Sequence, residues 1–130
     1  MADYAVRRID EMEAIYGGSF KRARAELGAS AFGMQVIDMP PNAELYPEHD
    51  HSEDGMEEVY VVLRGAGEIE IDGERVAIDP DSIVRVGPGT KRKIWPGDQG
   101  MRILALGGRP GKVYEPNPIT ELGNPDPMAS

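Results

Sequence analysis

The residues best suited to chemistry in this chain of 130 are its only two histidines, His49 and His51, and the acidic pair Glu57–Glu58 that follows them. Side chains two apart on an extended segment point to one side. The two imidazoles can therefore reach one ion together, while Asp50 faces away. Glu58 heads an apolar run closing on Gly65, in which Tyr60 and Val62 share its side and Val59, Val61 and Leu63 take the other. If the two segments pair, two imidazoles and one carboxylate converge, the ligand set of a mononuclear divalent-metal site with open positions. Glu57 is the local rival to Glu58, because a register slip of one exchanges them. The bland alternative is a pair of exposed loop histidines beside acidic residues. Asp50, Glu53 and Asp54 read as solvated loop charges.

Other chemistries find little support. There is no Cys, so thiol nucleophiles, disulfides and thiolate metal sites are excluded. Serine is scarce and lacks a nucleophile-elbow context, and Gly65-Ala66-Gly67 only joins strands rather than cradling a phosphate. A formal charge of −9 repels phosphates and anionic lipid. The basic stretches Lys21–Arg24 and Lys91–Lys93 are short and read as solvated faces, so no nucleic-acid or membrane partner is expected. The charged N-terminus lacks the apolar middle of a signal peptide and no apolar run reaches membrane-spanning length, which fits a cytoplasmic protein.

The elements that must position these residues are short strands. Residues 1–30 form an extension with helical turns. Asp10 can cap a helix of about two turns ending at Gly17-Gly18, and Lys21 to Leu27 is a weak helix stopped by Gly28, or a charged strand. From there the pattern is β: Phe32–Met39, a bent or edge strand Glu44–His51 broken by Pro47, Glu57–Leu63, Gly67–Asp72, Arg75–Ile78, Ile83–Val86, Thr90–Trp95 and Met101–Leu106. Asp72-Gly73 has the chemistry of a two-residue hairpin turn. Around eight short strands at this spacing predict an all-β sandwich or barrel over residues 31–107. The Pro/Gly-rich tail, 108–130, is expected to wrap the outside or a partner subunit, with its last few residues disordered. Tyr46 and Tyr60 can present hydroxyls to a pocket or pack as core aromatics. Trp95 reads as packing or an interface residue.

The same residues resemble the cupin superfamily, in its cupin-2 type of small single-domain bacterial barrel. The first motif of that family is Gly, five residues, His-x-His, three or four residues, Glu, six residues, Gly. Here Ala43 stands at the first Gly, His49-Asp50-His51 follows after five residues, and Glu58 lies six residues before Gly65. The loop between His51 and Glu58 is about two residues longer than usual. The second motif is matched around Pro88-Gly89-Thr90, with Arg92 where the family carries a histidine. The resemblance implies a jelly-roll double-stranded β-helix. It also implies one divalent ion (Fe, Mn, Ni or Zn) on His49, His51 and Glu58.

Arg92 cannot ligate a metal. It stands either beside the ion, holding an anionic group of a small-molecule ligand with Tyr60 shaping the pocket, or in place of the ion, paired with Glu58 in a non-catalytic binding module. Oxygen-dependent cleavage or isomerisation is the reaction the family suggests, if there is one. A homodimer is expected, because the Val59-Val61-Leu63 face is apolar, barrel edges need cover, and related cupins commonly pair through such faces.

Overall fold

The structure, a computed structural model, describes residues 1–128. Its strands are β1 (Ala14–Ile15), β2 (Phe20–Lys21), β3 (Gly33–Met39), β4 (Glu57–Ile71), β5 (Glu74–Ile78), β6 (Ile83–Val86) and β7 (Arg92–Gly108), with one α-helix, α1 (Ala23–Leu27), between β2 and β3. Every pairing is antiparallel. The fold is all-β, as the alternation predicts.

Two long strands do most of the enclosing. The runs Glu57–Leu63 and Gly67–Asp72, expected as separate strands, are the halves of β4, which turns a corner through register shifts between Val62 and Arg64 and between Gly65 and Gly67. Bulges of this kind bend a strand without ending it. Likewise Pro96-Gly97-Asp98, expected to break the chain, is a corner inside β7. On both strands the inward set changes parity across the corner. Tyr60 and Val62 give way to Ile69, and Ile94 gives way to Met101, Ile103 and Ala105, all buried. The first half of β4 lies between β6 and the end of β7, and the second half between β5 and the start of β7. The core between these layers is Ile37, Met39, Tyr60, Val62, Ile69, Ile78, Val86, Ile94, Met101, Ile103 and Ala105. Asp72 (φ 49) and Gly73 (φ 86) form the expected hairpin turn, both in the left-handed region that it requires.

Three expectations need correction. Residues 44–51 form no strand beyond an isolated bridge between His49 and Arg92, since Pro47 interrupts the ladder. The first helical segment is a single 3-10 turn, Ile9–Glu11, without a side-chain cap. Its intended cap, Asp10, is held by Arg102 instead, and Ala14–Ile15 turns through Tyr16–Ser19 to pair with Phe20–Lys21. Finally, the basic stretches are not solvated faces. Arg22 is 1% exposed, Arg24 6% and Arg92 0%.

Arg22 and Arg24 are buried because the tail closes over them. Arg22 donates from Nε to the Ile119 carbonyl (2.8 Å), and from Nη1 to the Asn124 carbonyl (2.9 Å) and Glu13 Oε2 (2.7 Å). Arg24 donates to the Ala29 carbonyl (3.0 Å) and to Glu121 Oε1 (2.7 Å). The tail therefore clasps the chain's own N-terminal segment. The disorder expected at the very end falls partly on Ala129 and Ser130, outside the described residues.

On the outer face of β3 and β7, Arg102 Nε donates to Asp38 Oδ1 at 2.7 Å and Lys21 Nζ lies 3.0 Å from Asp38 Oδ2. Burial alone would raise the Asp38 carboxyl, but hydrogen bonds from Arg102 and Lys21 outweigh it and hold it below its ordinary value. A carboxyl depressed on folding adds stability that is present above its unfolded pKa, about 3.9, and is lost as pH falls through the folded value. Urea unfolding is thus expected to show a stability loss between pH 5 and 3. The loss should shrink in Arg102→Met, which frees Asp38 to titrate normally in both states.

Candidate metal centre at the barrel mouth

Three segments carry the site. The strand β4 delivers Glu58, whose neighbours in alternation, Tyr60 and Val62, are buried inside. Glu57 points the other way, where its carboxylate accepts from Arg85 Nε at 2.6 Å. The histidines come from the loop before β4, stitched to the start of β7 by paired backbone bonds between His49 and Arg92 (3.0 and 2.9 Å) and by His51 N–H to the Pro88 carbonyl (2.7 Å). Residues facing one another across such a bridge present side chains to the same side, so His49 and Arg92 both turn toward Glu58. Asp50 turns away and accepts from Ser52.

These side chains converge on one oxygen. Glu58 Oε1 lies 2.9 Å from His51 Nε2, 3.7 Å from His49 Nε2 and 3.1 Å from Arg92 Nη1, and it accepts from the Tyr60 hydroxyl at 2.7 Å. One potential ligand atom from each of His49, His51 and Glu58 lies within 4.8 Å of the others. Arg92 is fully buried, with Nη2 on the Gly87 carbonyl (2.9 Å) and Nε without a partner. The histidine and Glu58 side chains stay 29%, 21% and 15% exposed, which places the cluster at the mouth of the barrel.

The protons on the imidazoles follow from their outer contacts. His49 Nδ1 is 3.0 Å from the Pro47 carbonyl, which can only accept, so that nitrogen carries the hydrogen. His51 Nδ1 is 3.1 Å from both oxygens of Asp54, which fixes the same tautomer. Both Nε2 atoms then aim lone pairs at the Glu58 carboxylate, and buried His51 Nε2 makes no aligned hydrogen bond despite its short approach. Two nitrogen lone pairs against an anionic oxygen require a cation between them. Outer acceptors on Nδ1 with Nε2 turned inward are also what metal-bound histidines show. The residues present therefore fit a divalent ion.

A proton answers the same demand when no metal is bound. The hydrogen bond from Glu58 raises the His51 pKa above its ordinary value, against the opposing effect of burial. Burial would raise Glu58, but hydrogen bonds from His49, His51 and Tyr60 hold it far below the usual carboxylate range. Burial, with the neighbouring Tyr46 and Glu58, pushes Tyr60 well above an ordinary phenol, so its hydroxyl stays a donor. Tyr60, expected to shape a ligand pocket, spends its hydroxyl on orienting Glu58. In Tyr60→Phe the carboxylate loses that restraint, and affinity for added Zn or Mn is expected to fall about tenfold, measured by competition with a chromophoric chelator, with little change in fold by circular dichroism.

Sequence reasoning missed Asp54, read as a solvated charge. The signal available was its position three residues after His51, in the loop lengthened before Glu58. Two cavities lie apart from these residues. One, about 720 Å³, is bounded by Asp38–Pro41, Arg64–Gly65 and Gln99–Arg102. The other, about 400 Å³, sits beside Trp95, whose ring is flanked by Arg75 (4.2 Å) and Lys93 (4.3 Å). Neither reaches His49, His51 or Glu58, so a ligand of this cluster enters from the open mouth.

Comparison with known proteins agrees with this architecture. The family model Cupin_2, described as a cupin domain, matches residues 35–107. A cupin protein from Bacteroides fragilis is 21% identical with a TM-score of 0.69, covering 90% of this chain and 93% of its own. A predicted oxalate decarboxylase from Thermotoga maritima is 23% identical (TM-score 0.53; 59% and 66% covered). The Cupin_2 domain of an XRE family transcriptional regulator from Enterobacter cloacae is 27% identical (TM-score 0.52; 64% and 86% covered). No curated protein matches the sequence.

Proposed function

Because the chain belongs to the Cupin_2 family of cupin domains, we propose that it binds one divalent ion on His49, His51 and Glu58 and acts on, or senses, a small anionic organic molecule at the barrel mouth. The observation that carries this reading is the pair of Nε2 lone pairs, fixed by Pro47 and Asp54, aimed at one carboxylate oxygen. A bound ion supplies Lewis acidity toward a ligand oxygen. Arg92 gives the same pocket a buried permanent cation whose Nε is unpaired. An ion and Arg92 together exceed the charge of Glu58, and a carboxylate or phosphate of the ligand redresses the balance. The neighbours include both a predicted decarboxylase and a regulator domain, which supports either turnover, as cleavage or isomerisation, or sensing.

The second reading rests on the 3.1 Å approach of Arg92 Nη1 to Glu58. Here the guanidinium neutralises the carboxylate, and the barrel is a metal-free binding module. Elemental analysis of protein purified without chelators separates the two. About one ion per subunit supports the first. Metal far below that level, unchanged after refolding with Fe, Mn, Ni or Zn, sinks it.

Among the described residues no helix is long and apolar enough to cross a membrane, and we read the protein as cytoplasmic. We also infer a homodimer through the outer face of β4 and β6, where Leu63 is 40% and Ile83 72% exposed. Sedimentation at micromolar concentration checks this.

A further inference from the structure

How two copies would join is answered most specifically by the N-terminal arm. Residues 1–8 adopt no helix or strand, and among the described residues no backbone-to-backbone hydrogen bond reaches residues 1–7. Tyr4 and Val6 stand 80% and 77% exposed. The arm's contact with the body is an ion pair at 3.8 Å between Arg7 and Glu26. An extended segment with apolar side chains and free backbone groups is a strand without a sheet. The sheet offers a matching vacancy, because β6 pairs with β4 along one side only. Its other side is an open edge of β-branched residues, the feature that templates strand addition. The other strand edges suit the arm less well. β1 is only two residues long, and β5 opens with the charged Glu74 and Arg75.

We propose that the arm of one copy adds antiparallel to β6 of a second copy, a proposal that rests on the homodimer reading above. Charge selects the register. Setting Asp3 opposite Arg85 places Tyr4 opposite Val84, Ala5 opposite Ile83 and Arg7 opposite Asp81, so that both ends of the pairing carry opposite charges. A slip of two residues in either direction loses the Asp3–Arg85 match. In the chosen register Tyr4 also falls on the face of Val84, which packs against the core. It thereby extends the inner layer, while Ala5 and Ile83 meet outside.

The chain has no cysteine, so single-cysteine variants of the full protein give a clean test. Ala5→Cys and Ile83→Cys are prepared separately, mixed, mildly oxidised and weighed by mass spectrometry, beside sedimentation of the unaltered protein. Held in a paired edge, the two thiols meet at an effective concentration near millimolar, and the mixed disulfide is expected to exceed the Ala5→Cys plus Val76→Cys control about tenfold or more. Tyr4→Cys with Ile83→Cys should stay at the control level, because position 4 lies on the other face. A sedimenting dimer in which Ala5→Cys and Ile83→Cys react no better than the control overturns the arm pairing and leaves the homodimer standing. A monomer overturns both. Excess product from Tyr4→Cys in place of Ala5→Cys overturns the register.

Discussion

Glu58→Gln protein is expected to bind divalent metal at least ~100-fold more weakly than the unaltered chain, since it loses a ligand rather than one of the outer contacts that cost 10–100-fold. The same change removes the only carboxylate within reach of Arg92, whose side chain is fully buried. Leaving a buried cation unpaired costs about 3 kcal/mol, at the low end of its range because Glu58 keeps some solvent exposure. His51→Ala makes the contrast. It should lose metal to a similar extent, but the Arg92–Glu58 pair survives and the stability change stays within about 1 kcal/mol. Elemental analysis with urea unfolding reads both variants. If neither variant changes metal content and only Glu58→Gln unfolds early, the guanidinium pair is the whole of the site.

The second large effect concerns the corner of the barrel. Gly65 has φ +80, and a Cβ built there would lie 2.2 Å from the Gly100 carbonyl oxygen, a backbone atom that cannot step aside. Gly65→Ala must therefore force β4 and β7 apart where both strands turn. We expect a loss of at least about 3 kcal/mol, which for a domain of this size lowers Tm by roughly 10 °C or more. Gly73→Ala is the control. Its φ is +86, but nothing lies within 4 Å of the added Cβ, so it carries the conformational cost alone, about 1 kcal/mol. Similar losses in the two variants would show that the close approach at the corner is unimportant.

Much of this was legible in the residues, for identifiable reasons. Alternation is a strict geometric rule, and it separated Glu58 from Glu57, which the structure turns to opposite faces. The turn chemistry of Asp72-Gly73 is equally local. What could not be read was anything decided by distant partners. Arg22 and Arg24 look like a solvated basic run until the tail, some 97 residues on, supplies a carbonyl and a carboxylate to bury them. Asp10 looks like a helix cap until Arg102 takes it. The corners in β4 and β7 look like strand ends because glycine and proline mark both bends and breaks. Only the pairing partner tells which applies.

The clasp around Arg22 has a consequence for how the molecule comes undone. Its guanidinium joins Glu13, near the start, to Ile119 and Asn124, near the finish. Neither flank can peel away alone without stranding a charge in the interior, so the two should open as one cooperative unit. Amide exchange would then show residues 13–22 and 118–124 losing protection together. A protease would find a foothold there only in the brief moments when both ends are loose.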